Sequence, residues 1–226
     1  MDALIASIAA IVAAGFSVRL LLANRTRRRL HVLLWAVAMA AFTVATVALA
    51  VGLAFGWTSF GFRVFYLLGA IVNIPILAAG SVALVVGEEV GRRFAAAVAG
   101  FSLAGAVAVF SASLTTGLDD LGVPAGSELF DWTLPVGGLA LPGPRVFAVI
   151  AGSLGTLIVV ALAFVSAVRW WSSERRRAVA NVFIVGGVAA PALGGSLTAL
   201  GEGGGLAVSL LVGAVLLYIG FVMASA

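Results

Sequence analysis

Side chains that a lipid-facing helix tolerates poorly fall on two stretches of this chain. Over residues 62–87, Arg63, Tyr66 and Asn73 recur with Ala70 at helical spacing, and Pro75 follows two residues later. On one helix these positions share a face. Pro75 lacks an amide proton, which frees a backbone carbonyl one turn earlier, near Ile71. Such a set supports hydrogen bonding to a ligand in a small polar cavity. Over residues 179–200 a second stripe, Gly187, Pro191, Gly194, Gly195 and Thr198, runs on to Glu202. Small residues let backbones approach, and an internal proline bends a helix. The two proline-broken segments are expected to face each other, with Arg63 approaching Glu202 and with Thr198 and Tyr218 on the same cavity. A plainer reading covers the same residues: Asn73 bonds a neighbouring helix, and the glycines and Pro191 serve packing and a kink.

Other constellations carry less. Glu88 and Glu89 precede Arg92 and Arg93 by four residues each, the favourable order for helical ion pairs. His31 is the sole histidine, beside Arg25 and Arg27–Arg29, and one imidazole supplies neither a metal site nor two axial haem ligands. Asp119, Asp120, Glu128 and Asp131 lie within one stretch without the spacing of a calcium loop, and read as a solvated lid. The chain has no cysteine, so disulfides, thiolate metal sites and cysteine-ligated Fe–S clusters are excluded. It also has no lysine, so covalent retinal is excluded for want of an amine. No metal ligand set is expected, no cofactor is called for, and haem and Fe–S are disfavoured. No carboxylate falls near the centre of an apolar stretch, where ion-driven carriers commonly place one.

The elements that must position these groups follow from hydropathy. The hydrophobic fraction is 63% and the mean hydropathy +1.22, against roughly 45–50% apolar residues in soluble domains. Seven apolar stretches, at about 3–23, 31–55, 62–87, 94–114, 145–168, 179–200 and 206–226, each approach the roughly 20 residues that cross a bilayer. The 226 residues therefore read as one seven-transmembrane-helix domain, an all-α integral membrane protein. Residues 115–144 hold Pro124, Pro135, Pro142 and Pro144 and read as an outer loop with a short amphipathic piece near 128–134.

Arginine placement orients the chain. Arg19, Arg25, Arg27, Arg28, Arg29, Arg92, Arg93, Arg169, Arg175, Arg176 and Arg177 fall on one side, and Arg63 and Arg145 on the other. Basic residues in short loops stay cytoplasmic, so the N-terminus is expected outside and the C-terminus inside. The same placement explains the net charge of +4 without nucleic acid as a partner. The all-arginine basic set and the Ala, Gly and Val load suggest a GC-rich bacterial genome, hence a multi-pass protein of the bacterial inner membrane. Segments one to three and five to seven share orientation around segment four. Leu67-Leu68-Gly69-Ala70 resembles Leu211-Val212-Gly213-Ala214, a faint three-plus-one-plus-three parallel repeat of the kind found in transporters.

Residues 27–93 carry a resemblance. Arg29-Leu30-His31 leads to Leu34-Trp35-Ala36, then come Gly56-Trp57, the run from Phe62 to Ala70, and Pro75 to Gly80. This third of the chain resembles uncharacterised seven-transmembrane membrane proteins of GC-rich, actinobacterial-type bacteria. It implies the architecture and no activity. A weaker likeness runs to the seven-span input regions of bacterial sensor kinases, without any output domain. The helix layout is similar to that of small sugar transporters of the SWEET kind, but their proline-glutamine signature is missing.

The function expected is non-enzymatic: binding or sensing of an apolar, lipid-like ligand, or service as an accessory subunit. Its partners would be the bilayer, such a ligand, and a membrane protein or a second copy of the chain. The alternative is an uncoupled small-molecule transporter built on the repeat. The candidate ligand residues are Arg63, Tyr66, Asn73, Pro75, Pro191, Thr198, Glu202 and Tyr218.

Overall fold

The computed structural model describes residues 1–115, 118, 122–171, 174–199 and 205–225. Helices α1 (Asp2–Arg27) and α2 (Leu30–Phe55) form the first hairpin. The third long helix comprises α3 (Ser59–Tyr66), a π-helical segment (Leu67–Val72) and α4 (Asn73–Val85). Next come α5 (Glu88–Ser111), the short α6 (Gly126–Leu129), strands β1 (Thr133–Val136) and β2 (Leu139–Pro142), and helices α7 (Pro144–Trp170), α8 (Arg175–Ala199) and α9 (Leu206–Ser225). Among the described residues, seven helices are long and apolar enough to cross a membrane, the third running Ser59–Val85.

Several helices outrun their apolar stretches. The first continues to Arg27 and the sixth begins at Arg175, because hydropathy marks where apolar side chains end and helical hydrogen bonding carries on through the arginines. The third starts early because the Thr58 hydroxyl caps it, accepting from the Gly61 amide at 3.0 Å. The π segment sits where Pro75 disturbs the ladder: the Asn73 amide donates to the Leu68 carbonyl, five residues back.

Outside the long helices the chain is not all-α. Of the amphipathic piece expected near 128–134, only Glu128 and Leu129 are helical, at the end of the four-residue α6, and Thr133 and Leu134 open an antiparallel hairpin that pairs Val136 with Leu139 across Gly137-Gly138. Both glycines have positive φ, 57° and 85°, as a two-residue primed turn demands.

Six of the long helices close a ring. In order around it, α1, α2, α4, α7, α8 and α9 each pack on the next, and α9 returns to α1. Helix α5 lies outside, against α4 and the π segment. The proline-broken third and sixth long helices are therefore not neighbours in the ring, because α7 stands between them, although both reach one apolar cluster through Leu77 and Val188. The stripe on α8 meets α9 instead. A Cβ at Gly187 would lie 2.7 Å from Leu217 Cγ, and one at Gly213 2.4 Å from Pro191 Cγ, so these helices approach to where only hydrogen fits.

Two apolar clusters divide the interior. One holds Leu49, Trp57, Phe62, Tyr66, Ile71, Val109, Leu129 and Phe130 near the hairpin. The other holds Phe16, Leu20, Met39, Phe42, Leu77, Val188 and Leu217 toward the arginine-rich end.

Candidate functional site

The hairpin end is filled. Leu129 and Phe130 are almost wholly buried, and the Phe130 ring lies 5.0 Å from Tyr66 and 5.7 Å from Phe62, centroid to centroid. Arg63 donates from its two terminal nitrogens to the carbonyls of Val109 and Ala112, the latter at 2.7 Å. These carbonyls belong to the last turn of α5 and to its C-cap residue, where a helix leaves acceptors without intrahelical donors and the dipole favours a cation. The Trp57 indole donates to the Gly122 carbonyl at 2.8 Å, and Arg145 donates to the Ser127 carbonyl at 3.2 Å while lying 4.3 Å over the Trp132 ring. Backbone and side chain of Thr115 both reach the strand of chain at Glu128–Leu129. The described residues 122–132 are thus pinned across the bundle mouth, with Leu129 and Phe130 pointing in.

Among the described residues, the opposite end is open. A vestibule of about 800 Å³ enters the ring, walled by all six ring helices. Thr26, Arg29, Trp170, Arg169, Arg177 and Ala224 stand at its mouth, and Val159, Leu162, Ile184 and Phe221 lie deeper. Trp35, Ser81, Ile184 and Phe221 also line a small space of about 20 Å³ that adjoins it, closed by Phe16, Met39, Leu77 and Leu217. The taper runs from guanidinium groups to an apolar floor.

Helix geometry sets the depth of each group. Arg19 lies eight residues before the end of α1, about 12 Å at 1.5 Å per residue. It donates to the Tyr218 hydroxyl at 2.6 Å, and its guanidinium carbon stands 5.6 Å from that ring's centroid. Its side chain remains exposed to the vestibule. An aromatic ladder links mouth to floor: His31 to Trp35 at 6.0 Å, Trp35 to Phe221 at 6.4 Å, and Phe221 to Phe16 at 5.3 Å. Asn181 donates to Ser166 at 3.1 Å, tying α8 to α7 on the wall. The Trp35 indole nitrogen is buried and has no hydrogen-bond partner among the described residues.

The charge is one-sided. Arg19, Arg29, Arg169, Arg177 and His31 line the vestibule, and no Asp or Glu does among the described residues. Arg177 is neutralised by Glu174 at 2.6 Å and lies 5.0 Å over Trp170. Arg29 and Arg169 form no ion pair among the described residues. Arg92 and Arg93, by contrast, lie outside the vestibule and pair with Glu88 at 3.6 Å and Glu89 at 2.8 Å, as their spacing predicts. Among the described residues no group of three or more His, Cys, Asp or Glu comes together.

The residues singled out from sequence are dispersed. Arg63 and Tyr66 stand under the hairpin end, where Arg63 caps α5 and Tyr66 packs on Phe130. Asn73 and Pro75 are buried at mid-helix, with α7 passing close by at Gly155. Pro191 packs on α9, and Thr198 is buried and donates to Gly194 of its own helix at 2.9 Å. Tyr218 alone approaches the vestibule, through Arg19. Glu202, and with it the proposed approach to Arg63, lies outside the described residues, as do Asp119 and Asp120. The vestibule residues Arg19, Arg29, Arg169 and Arg177 read in sequence as topology anchors and His31 as an interfacial residue. Only the depth of Arg19 within its apolar stretch signals more.

No protein-family model matches this chain, no curated protein matches it in sequence, and no solved structure matches it.

Proposed function

We propose that this chain is a non-enzymatic, multi-pass protein of a bacterial inner membrane that binds a lipid-like ligand in its arginine-rich vestibule. Eleven of the 13 basic residues gather at the vestibule end, which supports a cytoplasmic vestibule end and C-terminus and an outer N-terminus. The observation that carries the reading is the taper: a cavity of about 800 Å³ with a charged mouth and an aromatic and aliphatic floor suits an amphiphile, polar end out. The filled hairpin end supports binding from one side rather than passage. A second reading, an uncoupled transporter, draws on the ring itself. The third long helix touches the fifth and the seventh touches the first, the adjacency that two parallel three-helix repeats produce about an axis along the membrane normal.

Two measurements test this. Single cysteines introduced at residues 2 and 225 should react with an impermeant thiol reagent from opposite sides of the membrane; reaction from one side removes the topology. Native mass spectrometry of the detergent-released protein should retain an amphiphile that Ala23→Trp, a bulky group at an exposed position on the vestibule wall, removes without loss of helicity. Liposomes that equilibrate small solutes faster with the protein than without it would favour the transporter.

A further inference from the structure

We propose that the vestibule selects a phosphate-headed amphiphile, with Arg19 and Arg169 as the groups that hold the phosphoryl oxygens. This rests on the vestibule being the site of a lipid-like ligand and adds the chemistry of the headgroup. Three observations carry it. Cationic side chains face a confined space without a lining carboxylate, so their potentials add and an anion is drawn in. Arg19 lies four residues, about 6 Å at 1.5 Å per residue, inside the end of its apolar stretch, and its guanidinium faces the vestibule, where water or an anion can reach it. Its one described polar partner is a neutral phenol, which leaves the charge uncompensated. Arg169 has no partner among the described residues, although Arg92, Arg93 and Arg177 at the same end are each paired with a glutamate. Arg25, Arg28, Arg175 and Arg176 are likewise without an ion pair among the described residues but lie outside the vestibule, so it is their place on its wall that marks Arg19 and Arg169 as ligand groups.

Guanidinium groups bind phosphate through paired, charge-assisted N–H···O bonds. A single carboxylate is satisfied by one such fork, while a phosphate monoester offers three oxygens and up to two charges, which matches arginines arriving from α1 and α7. The acyl portion meets Val159, Leu162, Ile184 and Phe221. A lipid headgroup and free phosphate share this chemistry; the floor selects the lipid.

The test uses the full-length protein in nanodiscs of zwitterionic lipid, with tryptophan fluorescence as readout and soluble dihexanoyl phosphatidic acid, dihexanoyl phosphatidylcholine and inorganic phosphate as probes. Phosphatidic acid should bind at least about tenfold more tightly than either of the others, and Arg169→Gln should weaken it about tenfold. Arg169→Gln removes no described contact, so its effect is not one of misfolding; Arg19→Gln should act likewise. The paired double variant R92Q/R93Q, which removes two positive charges at the same end instead of one, should leave the affinity within about twofold. Equal binding of phosphatidylcholine overturns the headgroup assignment and leaves the lipid-binding reading standing. Equal weakening by R92Q/R93Q overturns the site in favour of general surface charge. Inorganic phosphate binding as tightly as phosphatidic acid overturns the amphiphile. Binding of none of the three removes both readings together.

Discussion

The two ends of this bundle are built from the same amino acids and do opposite things with them. At the hairpin end, Arg63 spends its donors on carbonyls at the end of α5 and Arg145 lies over the Trp132 ring, while Phe130 occupies the space between helices. At the basic end, Arg19 and Arg169 face open space, and the aromatic groups line that space without filling it. An arginine whose hydrogen bonds end on backbone is structural. One whose donors end on a phenol or on nothing described retains capacity for a ligand. The difference lies in what the neighbouring chain supplies: the segment after α5 folds back over one mouth, and no described segment folds over the other.

This contrast predicts that variants at the filled end lower stability and variants at the open end lower ligand affinity. The largest effect should come from Phe130→Ala, which empties a nearly fully buried ring site and should cost about 3 kcal/mol, read as a fall in Tm of the purified protein. A change below about 0.5 kcal/mol would mean that the lid is dispensable to the fold. Arg63→Met should come next, because it leaves the Val109 and Ala112 carbonyls without their donor, at about 1–3 kcal/mol. Faster proteolysis between 112 and 130 should accompany that loss if Arg63 holds α5 to the lid. Arg169→Gln should be smallest, within about 0.5 kcal/mol of the parent in the absence of ligand. A larger loss there would erase the distinction between the ends.

Sequence made much of this fold legible and left the site largely hidden. The seven apolar helices, the arginine asymmetry and the Glu88–Arg92 and Glu89–Arg93 pairs depend on local composition and spacing, and spacing along a helix is fixed by its geometry. The disturbance around Pro75 was likewise local, because proline removes a donor wherever it sits. The hairpin was missed, although Gly137-Gly138 between Leu134-Pro135-Val136 and Leu139-Ala140-Leu141 carries the signal of a two-residue primed turn. The prolines on both strands drew it toward a loop reading. Arg63 and Tyr66 are polar for a reason that spacing does not disclose, since their partners lie 46 and 64 residues away, at Val109 and Phe130.

Composition and periodicity alone determined that this chain consists of long apolar helices with a basic end and a proline-rich crossing at the other, because those properties belong to single helices and their flanks. Which arginine is sealed and which is left facing a cavity was decided only by tertiary structure. It depends on the order of helices around the ring, on α7 standing between the two proline-broken helices, and on where the segment after α5 comes to rest. Each of these is a long-range contact that no local pattern encodes.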